Sequence, residues 1–499
     1  MRLTLDQINY SIADLVAQPV ADQLKVDYEL QDPVLRQFPA LLGEGQVVSE
    51  LIWSKTDGMA RTAGAYVREN FAAVTGCASG DFACVNAFAA SFMERAARRP
   101  LVAEEAQRIQ QVVTEVQGFG ATTEEAAEHA VYAALSSPQF QYRTEFGTDL
   151  SVEEMLAPYE LASMLSYFIT GGPPDEALLA DAAAGTLNSP DALRNQAARL
   201  VETAEAREYL QSLILASFGI PNVFGVVLTA PEATQVAKNS MVFGARLFIN
   251  EQLWSGAPVN DLLTSQQAWI NETLAPFYGV QMPPVDQLDA DGFGKVTLTP
   301  DRAGLLTNVG LLTSTARPGH PSVVARGIKV VDDILCLERA PLPDNLSAVI
   351  EEFNAANEDK SEREKAELRF ETPGCGGCHL NTDPYGLSLF AYDEIGRFRE
   401  NDPEGRPIDQ SVVLPDYLGG QTAATPAEMA RVIVDSGAFM GCVAGNLMED
   451  AIGVGTVFAT DCAAMSIVSE LETRGSMTFP DLVREVAASR TMAFRKAGM

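Results

Sequence analysis

The sequence predicts a mainly α-helical protein of several domains, with minor β hairpins. The chain has 499 residues, and at about 150 residues per domain this length suggests three or so folded units. Apolar residues make up 47% and charged residues 20% of the chain, which is ordinary globular composition and argues against extensive disorder. Apolar residues recur mostly at helical spacing, and no segment of about 20–50 residues repeats, which excludes a solenoid.

The chain divides into four predicted blocks, namely residues 1–148, 149–280, 281–400 and 401–499. The first block is helical and begins with an amphipathic helix, whose apolar residues lie near helical spacing: Leu3, Ile8, Ile12 and Leu15. A further helix is predicted from Asp81 to Arg99, where a basic end suits the negative end of the helix dipole.

The later blocks contain clear helix breaks and turns. In the central helical block, Gly171–Pro174 separates two helices. The third block holds a short alternating run at 295–298, which predicts a small hairpin, and a charged helix from Leu346 to Phe370 that leads to a pair of cysteines. The last block is a helical domain that opens with turn-forming residues at 401–405 and closes with two helices.

The charge balance is strongly acidic. The chain has 35 basic and 67 acidic side chains, for a net charge of −32. Such a field repels phosphate backbones and anionic lipid headgroups, so it argues against nucleic acid and membrane surfaces as partners. No run approaches the ~20 apolar residues of a transmembrane helix, and residues 1–15 lack the apolar stretch of a signal peptide. We therefore expect the chain to start after a removed export segment or at the boundary of an expressed fragment.

The seven cysteines fall into groups that suggest an oxidising compartment. Cys77 lies close to Cys84 in the sequence and Cys442 lies close to Cys462, and we predict a disulfide within each of these pairs. Cys336 is left without a partner in this scheme. The alternative is that these residues are buried reduced thiols, which behave as small hydrophobes.

Residues 375–379 read Cys-Gly-Gly-Cys-His, and this motif carries chemistry. One helical turn separates the two sulfurs, so each can form a thioether with one haem vinyl group while the adjacent imidazole lies under the iron. The motif predicts one covalent haem c, attached through Cys375 and Cys378, with His379 as the proximal iron ligand. A chance match is expected roughly 0.0006 times in a chain of this composition. Residues 281–400 are accordingly predicted to form a c-type haem domain.

Three other interpretations of the two cysteines are weaker. A thioredoxin-like redox pair needs a strand before it and a helix after it, whereas here a charged helix precedes the motif and turn-forming residues follow at 381–384. A zinc site needs four ligands, and the sequence has neither a second C-x-x-C nor an H-x-x-x-H. A disulfide between Cys375 and Cys378 would close an unusually tight loop.

The segment CGGCHLNTDPYGLSLFAYDEIGRFR resembles the secreted multidomain cytochrome-like proteins of planctomycetes and myxobacteria, which consist of a series of domains of unknown function with one C-x-x-C-H site. The likeness runs from RLTLDQINYSIADL near the start to VREVAASRTMAFR near the end. It implies haem attachment at the motif, and export, because haem c is attached outside the cytoplasm. It also implies a surrounding frame: Asp383, Pro384, Gly386, Asp393, Gly396, Arg397 and Arg399. Phe390 replaces a glutamate usual in this family, which leaves any role of that glutamate open.

The sequence leaves the second axial position of the iron open. His320 lies on a loop stiffened by Pro318 and Pro321 in the same block as the motif, and we predict it as the possible distal ligand. His129 lies in mid-helix and is expected to serve a surface or packing role. Methionine ligation would raise the reduction potential, with Met440, Met448 and Met465 as candidates. An open or water-ligated iron is a further alternative.

Two arginines near the end of the haem block are candidates for binding the haem propionates. Arg397 and Arg399 could each pair bidentately with a carboxylate, because the guanidinium fork matches two carboxylate oxygens. The alternative is that both form surface salt bridges.

We expect a periplasmic or extracellular monohaem c-type cytochrome that transfers electrons to or from a redox partner protein. One alternative is a haem-dependent oxidoreductase of the peroxidase or oxygenase kind that acts on an extracellular substrate. Another is a binding protein whose haem is structural or sensory. About 370 residues precede the motif, more than a simple shuttle needs. No Ser/His/Asp order, phosphate loop or HExxH pattern names a reaction.

Overall fold

The computed structural model describes residues 1–28, 49–145, 147, 153–339, 346–453 and 459–495. About 64% of the residues are helical and 5% lie in strands, so the prediction of a mainly α-helical protein with minor antiparallel strand pairs is confirmed. The chain forms two compact units: unit 1 comprises Met1–Leu210, Leu447–Thr456 and Val483–Met499, and unit 2 comprises Gln211–Asn446 and Val457–Leu482. Each unit draws on more than one of the four predicted blocks, whose boundaries stay predictions.

The described residues of the first part of the chain form helices joined by short turns, with one isolated β-bridge between Arg2 and Tyr142. Its helices are α1 (Leu5–Leu15), α2 (Gln18–Tyr28), α3 (Glu50–Glu69), α4 (Phe71–Thr75), α5 (Phe82–Ala97), α6 (Ala103–Gly118), α7 (Thr123–Leu135) and α8 (Pro138–Gln141). α1 begins with a capping box, in which Thr4 and Gln7 each accept a hydrogen bond from the other's amide. Its predicted apolar face is buried, and α5 confirms the helix predicted from Asp81. The Ala-rich α7 packs against α3, α5 and α6.

The predicted break at Gly171–Pro174 is confirmed. Helix α9 ends at Thr170, and Gly171 follows in the left-handed region with φ +69°. A Cβ atom at Gly171 would lie 2.5 Å from the Tyr209 ring, so glycine is required there by space as well as by φ. The helices of this part are α9 (Pro158–Thr170), α10 (Glu176–Ala184), α11 (Pro190–Leu200), α12 (Ala204–Ser217), α13 (Gln235–Trp254), α14 (Asp261–Thr264) and α15 (Ala275–Tyr278).

The described strands form three antiparallel pairs. β1 (Glu154–Met155) pairs with β6 (Phe494–Arg495), β2 (Gln267–Ile270) with β3 (Gly294–Thr297), and β4 (Val412–Val413) with β5 (Thr422–Ala423). The run predicted as a local hairpin is β3, but its partner β2 lies well before it in the chain. β2 buries Ala268 and Ile270 and packs on α13, so the burial of an apolar face decides the pairing rather than a tight turn.

The block around the cysteine motif contains α16 (Val309–Ser314), α17 (Val323–Lys329), a π-helical turn at Val330–Ile334, α18 (Leu346–Ala356), α19 (Glu362–Glu371) and α20 (Gly376–Ser388). The single charged helix predicted from Leu346 to Phe370 is wrong, because two helices, α18 and α19, occupy this stretch. The break arises because Ser361 caps α19: its hydroxyl accepts from the Glu364 amide, while the Glu364 carboxylate accepts from the Ser361 amide.

The last block contains more helices than the two predicted at its end. They are α21 (Pro426–Asp435), α22 (Ala438–Ile452), α23 (Cys462–Arg474), α24 (Phe479–Ala488) and α25 (Arg490–Ala493). Across the described ranges, no helix is both long enough and apolar enough to cross a bilayer.

One of the two predicted disulfides is confirmed and the other is wrong. Cys77 and Cys84 are bonded, with their Cα atoms 5.7 Å apart. Cys442 is bonded to Cys336 instead of Cys462, across a sequence separation of 106 residues. Cys336 and Cys442 are both buried in one small cluster, whereas Cys462 is an exposed free thiol at the start of α23. Proximity in the sequence misled the prediction because burial brings distant cysteines together.

Candidate functional site

The cysteine motif lies at the start of a helix. Cys375 immediately precedes α20, and the amides of Cys378 and His379 donate to the Cys375 carbonyl oxygen at 3.2 and 3.0 Å. The two thiols are therefore neighbours three residues apart on one helical turn. Both are half-buried, and neither takes part in a disulfide. This spacing suits two thioether bonds to one macrocycle.

The residues after the motif are helical, which corrects the turn predicted at 381–384. Helix α20 continues through Pro384 to Ser388. The polar side chains of this stretch do not interrupt it, because Asn381 and Thr382 donate to carbonyl oxygens four residues earlier, at 3.0 and 3.3 Å. A thioredoxin-like redox pair needs a strand before the cysteines and a helix after them. The helix is present, but α19 rather than a strand precedes the motif.

Close backbone contact with α17 fixes the position of α20. A Cβ atom on Gly327 would lie 2.1 Å from the Thr382 carbonyl oxygen, and one on Gly386 would lie 1.9 Å from the Val323 carbonyl oxygen. Any side chain at either glycine would separate the two helices. The pair of glycines thus sets the distance between the motif-bearing helix and α17.

Buried Arg326 joins α17 to the chain that follows α20. Its guanidinium donates to the carbonyl oxygens of Leu389, Tyr392 and Asp393 at 2.7, 2.5 and 2.7 Å. Burial lowers the pKa of Arg326 to about 9. The three carbonyl acceptors offset part of the free-energy cost of desolvating this cation. These hydrogen bonds hold the segment that carries Asp393 and Arg397 against α17.

The imidazole of His379 is held by a buried carboxylate on its own helix. His379 Nδ1 lies 2.9 Å from Asp383 Oδ1, and Arg369 Nε of α19 donates to Asp383 Oδ2 at 2.7 Å. The Asp383 side chain has no exposed surface, and the His379 side chain is 22% exposed. A proton on Nδ1 leaves the lone pair on Nε2, which is the form that binds a metal. Asp383 was noted in the sequence only as part of the surrounding frame.

A cavity of about 1330 Å³ opens beside the motif, with Cys375, Cys378 and His379 on its wall. All of the described residues that line it belong to unit 2. Much of the apolar part of the wall comes from α17, α18 and α23, through Val323, Val324, Ile328, Val349, Ile350, Phe353, Met465 and Val468. The cavity exceeds the roughly 300–1,000 Å³ of most small-ligand sites.

The residues of this wall fit a haem. The apolar side chains suit the flat hydrocarbon ring, and four cationic side chains on the wall suit its two carboxylates: Arg317, Arg339, Lys365 and Arg369. Arg369 adds a specific indication, since it is 7% exposed and its Nη2 atom is buried without a hydrogen-bond partner among the described residues. A buried donor of this kind calls for an acceptor.

His320, the predicted distal candidate, lies on the wall of the same cavity as His379. It closes a tight turn with Arg317, in which each amide donates to the other residue's carbonyl at 3.1 Å, and Gly319 takes φ +82°. The turn is anchored because the Gly319 amide donates to buried Glu394 at 3.1 Å. Arg317 also lines the cavity, and among the described residues its guanidinium has no hydrogen-bond or ion-pair partner.

The other candidates for the second axial iron ligand differ in whether they lie on the cavity wall. His129 is exposed on α7 in unit 1, with Nδ1 2.8 Å from the Glu125 carbonyl oxygen, as expected for a surface histidine. Met440 and Met448 are buried core residues at 1% and 0% exposure, whereas Met465 is 57% exposed and lines the cavity. His320 and Met465 therefore remain as axial candidates on the cavity wall.

Arg397 and Arg399 do not lie on the cavity wall. Arg397 pairs with Asp393 and Glu232, both at 2.8 Å, and Arg399 donates to the Phe390 carbonyl oxygen at 3.0 Å. For Arg397, this position favours the salt-bridge alternative over propionate binding. For Arg399, it favours a contact with the backbone.

Sequence reasoning missed the cationic side chains that do line the cavity, Arg317, Arg339, Lys365 and Arg369. It also missed the contact between Asp383 and His379. The signal for that contact was present, because the two residues are four apart and face the same side of a helix. The expectation of a turn at 381–384 hid it.

Three segments of the chain match families described as proteins of unknown function. Residues 84–145 match DUF1595, residues 156–280 match DUF1592, and residues 302–402, which contain the cysteine motif, match DUF1588. This is the serial arrangement of planctomycete cytochrome-like multidomain proteins. No curated protein and no solved structure matches the chain.

Proposed function

We propose that this protein carries one haem c, bonded through Cys375 and Cys378 with His379 as the proximal ligand, and that it transfers electrons outside the cytoplasm. The observation that carries the proposal is the placement of both free thiols and His379 together on the wall of one large apolar cavity. The His379–Asp383 hydrogen bond supports it, because it selects the tautomer whose Nε2 binds iron. A haem bound here supplies one-electron redox chemistry.

The residues around the motif would each have a defined task. Cys375 and Cys378 would fix the ring edge covalently. The side chains of α17, α18 and α23 would exclude water from the ring, and Arg369 Nη2 would donate to a carboxylate of the ring. Two disulfides support an extracytoplasmic location, because such bonds persist in oxidising compartments. The net charge of −32 favours a basic redox partner.

Covalent attachment is tested in cells that express a cytochrome c maturation system. We expect the exported protein to keep its haem after extraction with acidified organic solvent. The Cys375→Ser/Cys378→Ser protein should release any haem it holds under the same treatment. Cys462→Ser is the matched control, because Cys462 is an exposed free thiol outside the motif. Release of haem from the unaltered protein would overturn the proposal.

A second candidate function is haem-dependent oxidation of a small substrate. The turn at Arg317–His320 favours it, because it places on the cavity wall an imidazole and a guanidinium that has no partner among the described residues. An imidazole can move a proton and a guanidinium can stabilise a developing anion at such a site. The cavity volume also leaves space for a substrate beside a cofactor.

The absorption spectrum of the ferric protein separates the two functions. A six-coordinate low-spin spectrum that becomes high-spin in His320→Ala would identify His320 as the distal ligand and support electron transfer. A high-spin spectrum in the unaltered protein would support catalysis, with His320 as an acid–base group. If His320→Ala keeps a low-spin spectrum, His320 is not the ligand, and Met465→Ala becomes the next variant.

A further inference from the structure

We infer that Asp383 is a positioning residue that strengthens the bond from His379 to the haem iron and thereby lowers the reduction potential of the centre. This inference rests on the haem attachment proposed above. Asp383 lies one turn after His379 on α20, and its Oδ1 atom is 2.9 Å from His379 Nδ1. The rigid helix fixes this pair, so the imidazole cannot rotate without losing its acceptor.

The Asp383 carboxylate is fully buried and is supplied with donors on both oxygens. Arg369 Nε donates to Oδ2 at 2.7 Å, and His379 Nδ1 lies 2.9 Å from Oδ1. The Arg369 guanidinium, itself 7% exposed, balances the charge of the carboxylate at close range, which is the condition under which a buried anion is tolerated. The three side chains therefore form one chain of contacts: Arg369 to Asp383 to His379.

A purely structural role would not need the contact with His379. The Arg369–Asp383 ion pair alone links α19 to α20, and it uses only Oδ2. The second oxygen is directed to the one histidine of the motif. A carboxylate is a stronger hydrogen-bond acceptor than a neutral carbonyl, so it draws the Nδ1 proton and makes Nε2 a stronger electron donor to a bound metal.

A proximal imidazole that donates more electron density stabilises the ferric state more than the ferrous state, because ferric iron carries one more positive charge. The reduction potential therefore falls. In the proposed electron-transfer function, this makes the centre a donor of electrons to a partner of higher potential. In the alternative oxidative function, it favours the higher oxidation state of the iron.

Asp383→Asn tests the inference, since asparagine keeps the shape and one acceptor oxygen but removes the charge. We expect a redox titration of the purified haem protein to show the ferrous-to-ferric ratio at fixed potential raised about tenfold, which is about 59 mV for one electron. Asp409→Asn is the control, because it removes one negative charge from an exposed position of the same unit. An Asp383→Asn potential that is unchanged or lower, with normal haem content, overturns the inference.

A second measurement needs no variant and covers the case in which Asp383→Asn does not fold. In the unaltered protein, the carbon monoxide adduct of the ferrous haem can be photolysed. Resonance Raman spectroscopy of the photoproduct then reports the iron–histidine stretching frequency. We expect a frequency above that of a haem whose proximal histidine donates to a backbone carbonyl. A frequency equal to that reference would refute the role of Asp383. Absence of covalent haem from the unaltered protein would instead refute the proposed function, so the two failures are distinguishable.

Discussion

The buried carboxyl of Asp450 should make the stability of unit 1 depend on pH. Asp450 lies on α22 with 2% exposure, and the Tyr209 hydroxyl lies 3.0 Å from each of its oxygens. Burial raises the pKa of Asp450 from its ordinary 3.8 to about 7, although Tyr209 and Arg143 act in the opposite direction. In the unfolded chain the group regains its ordinary pKa.

The sign of the effect follows from counting protons. Below pH 3.8 both states hold the Asp450 proton, and the stability contribution is fully present. Between pH 3.8 and about 7 only the folded state holds it, so the free energy of unfolding falls as pH rises. At about 1.36 kcal/mol for each pH unit, the loss reaches about 4 kcal/mol above pH 7.

Asp450→Asn replaces the carboxyl by a neutral group of similar shape and removes this dependence. We expect urea denaturation, followed by circular dichroism, to show the variant gaining up to about 4 kcal/mol relative to the unaltered protein between pH 4 and pH 8. Asp191→Asn is the control, since the Asp191 side chain is 87% exposed. A constant difference between Asp450→Asn and the unaltered protein across this range would show that the buried carboxyl does not hold a proton in the folded state.

Two further predictions concern unit 2. Gly386→Ala should lower the free energy of unfolding by about 1–3 kcal/mol, because its Cβ atom would overlap the α17 backbone. Gly377→Ala on the same helix, with nothing within 4 Å of its Cβ atom, should instead be neutral or stabilise by up to about 1 kcal/mol through helix propensity. Equal urea midpoints for the two variants would contradict this. Peptide mapping without reduction should recover Cys336 linked to Cys442 and Cys462 alkylated, and Cys442→Ser should destabilise by up to about 4.7 kcal/mol for a loop of about 100 residues. A Cys442–Cys462 peptide would contradict the structure.

Local patterns predicted several of the helices correctly, because helical periodicity and capping depend on neighbouring residues. The first helix and the break at Gly171 are examples, and each follows from side chains within a few positions. The turn expected at 381–384 failed because turn-forming residues were judged by propensity alone. Tertiary contacts override that propensity here: Asp383 is committed to Arg369, and Gly386 to close contact with α17.

Features that depend on distant residues could not be read from the sequence. The motif itself is local, so Cys375, Cys378 and His379 could be named at once. The partner of Cys442 lies 106 residues away, and β2, the partner of β3, is separated from it in the sequence by α15. The cavity wall likewise collects residues from 317 to 472, and no spacing rule relates them.

The cavity also bears on why about 370 residues precede the motif. The described residues of its wall begin at Arg317 and all belong to unit 2, so none of the described residues among 1–210 lines the cavity. The Cys336–Cys442 disulfide stands next to Leu337 and Gly441, which both line the cavity, and it ties the last block to the motif block. Unit 2 thus contains the cysteine motif, the contacts of His379 with Asp383 and of Asp383 with Arg369, and the Cys336–Cys442 disulfide.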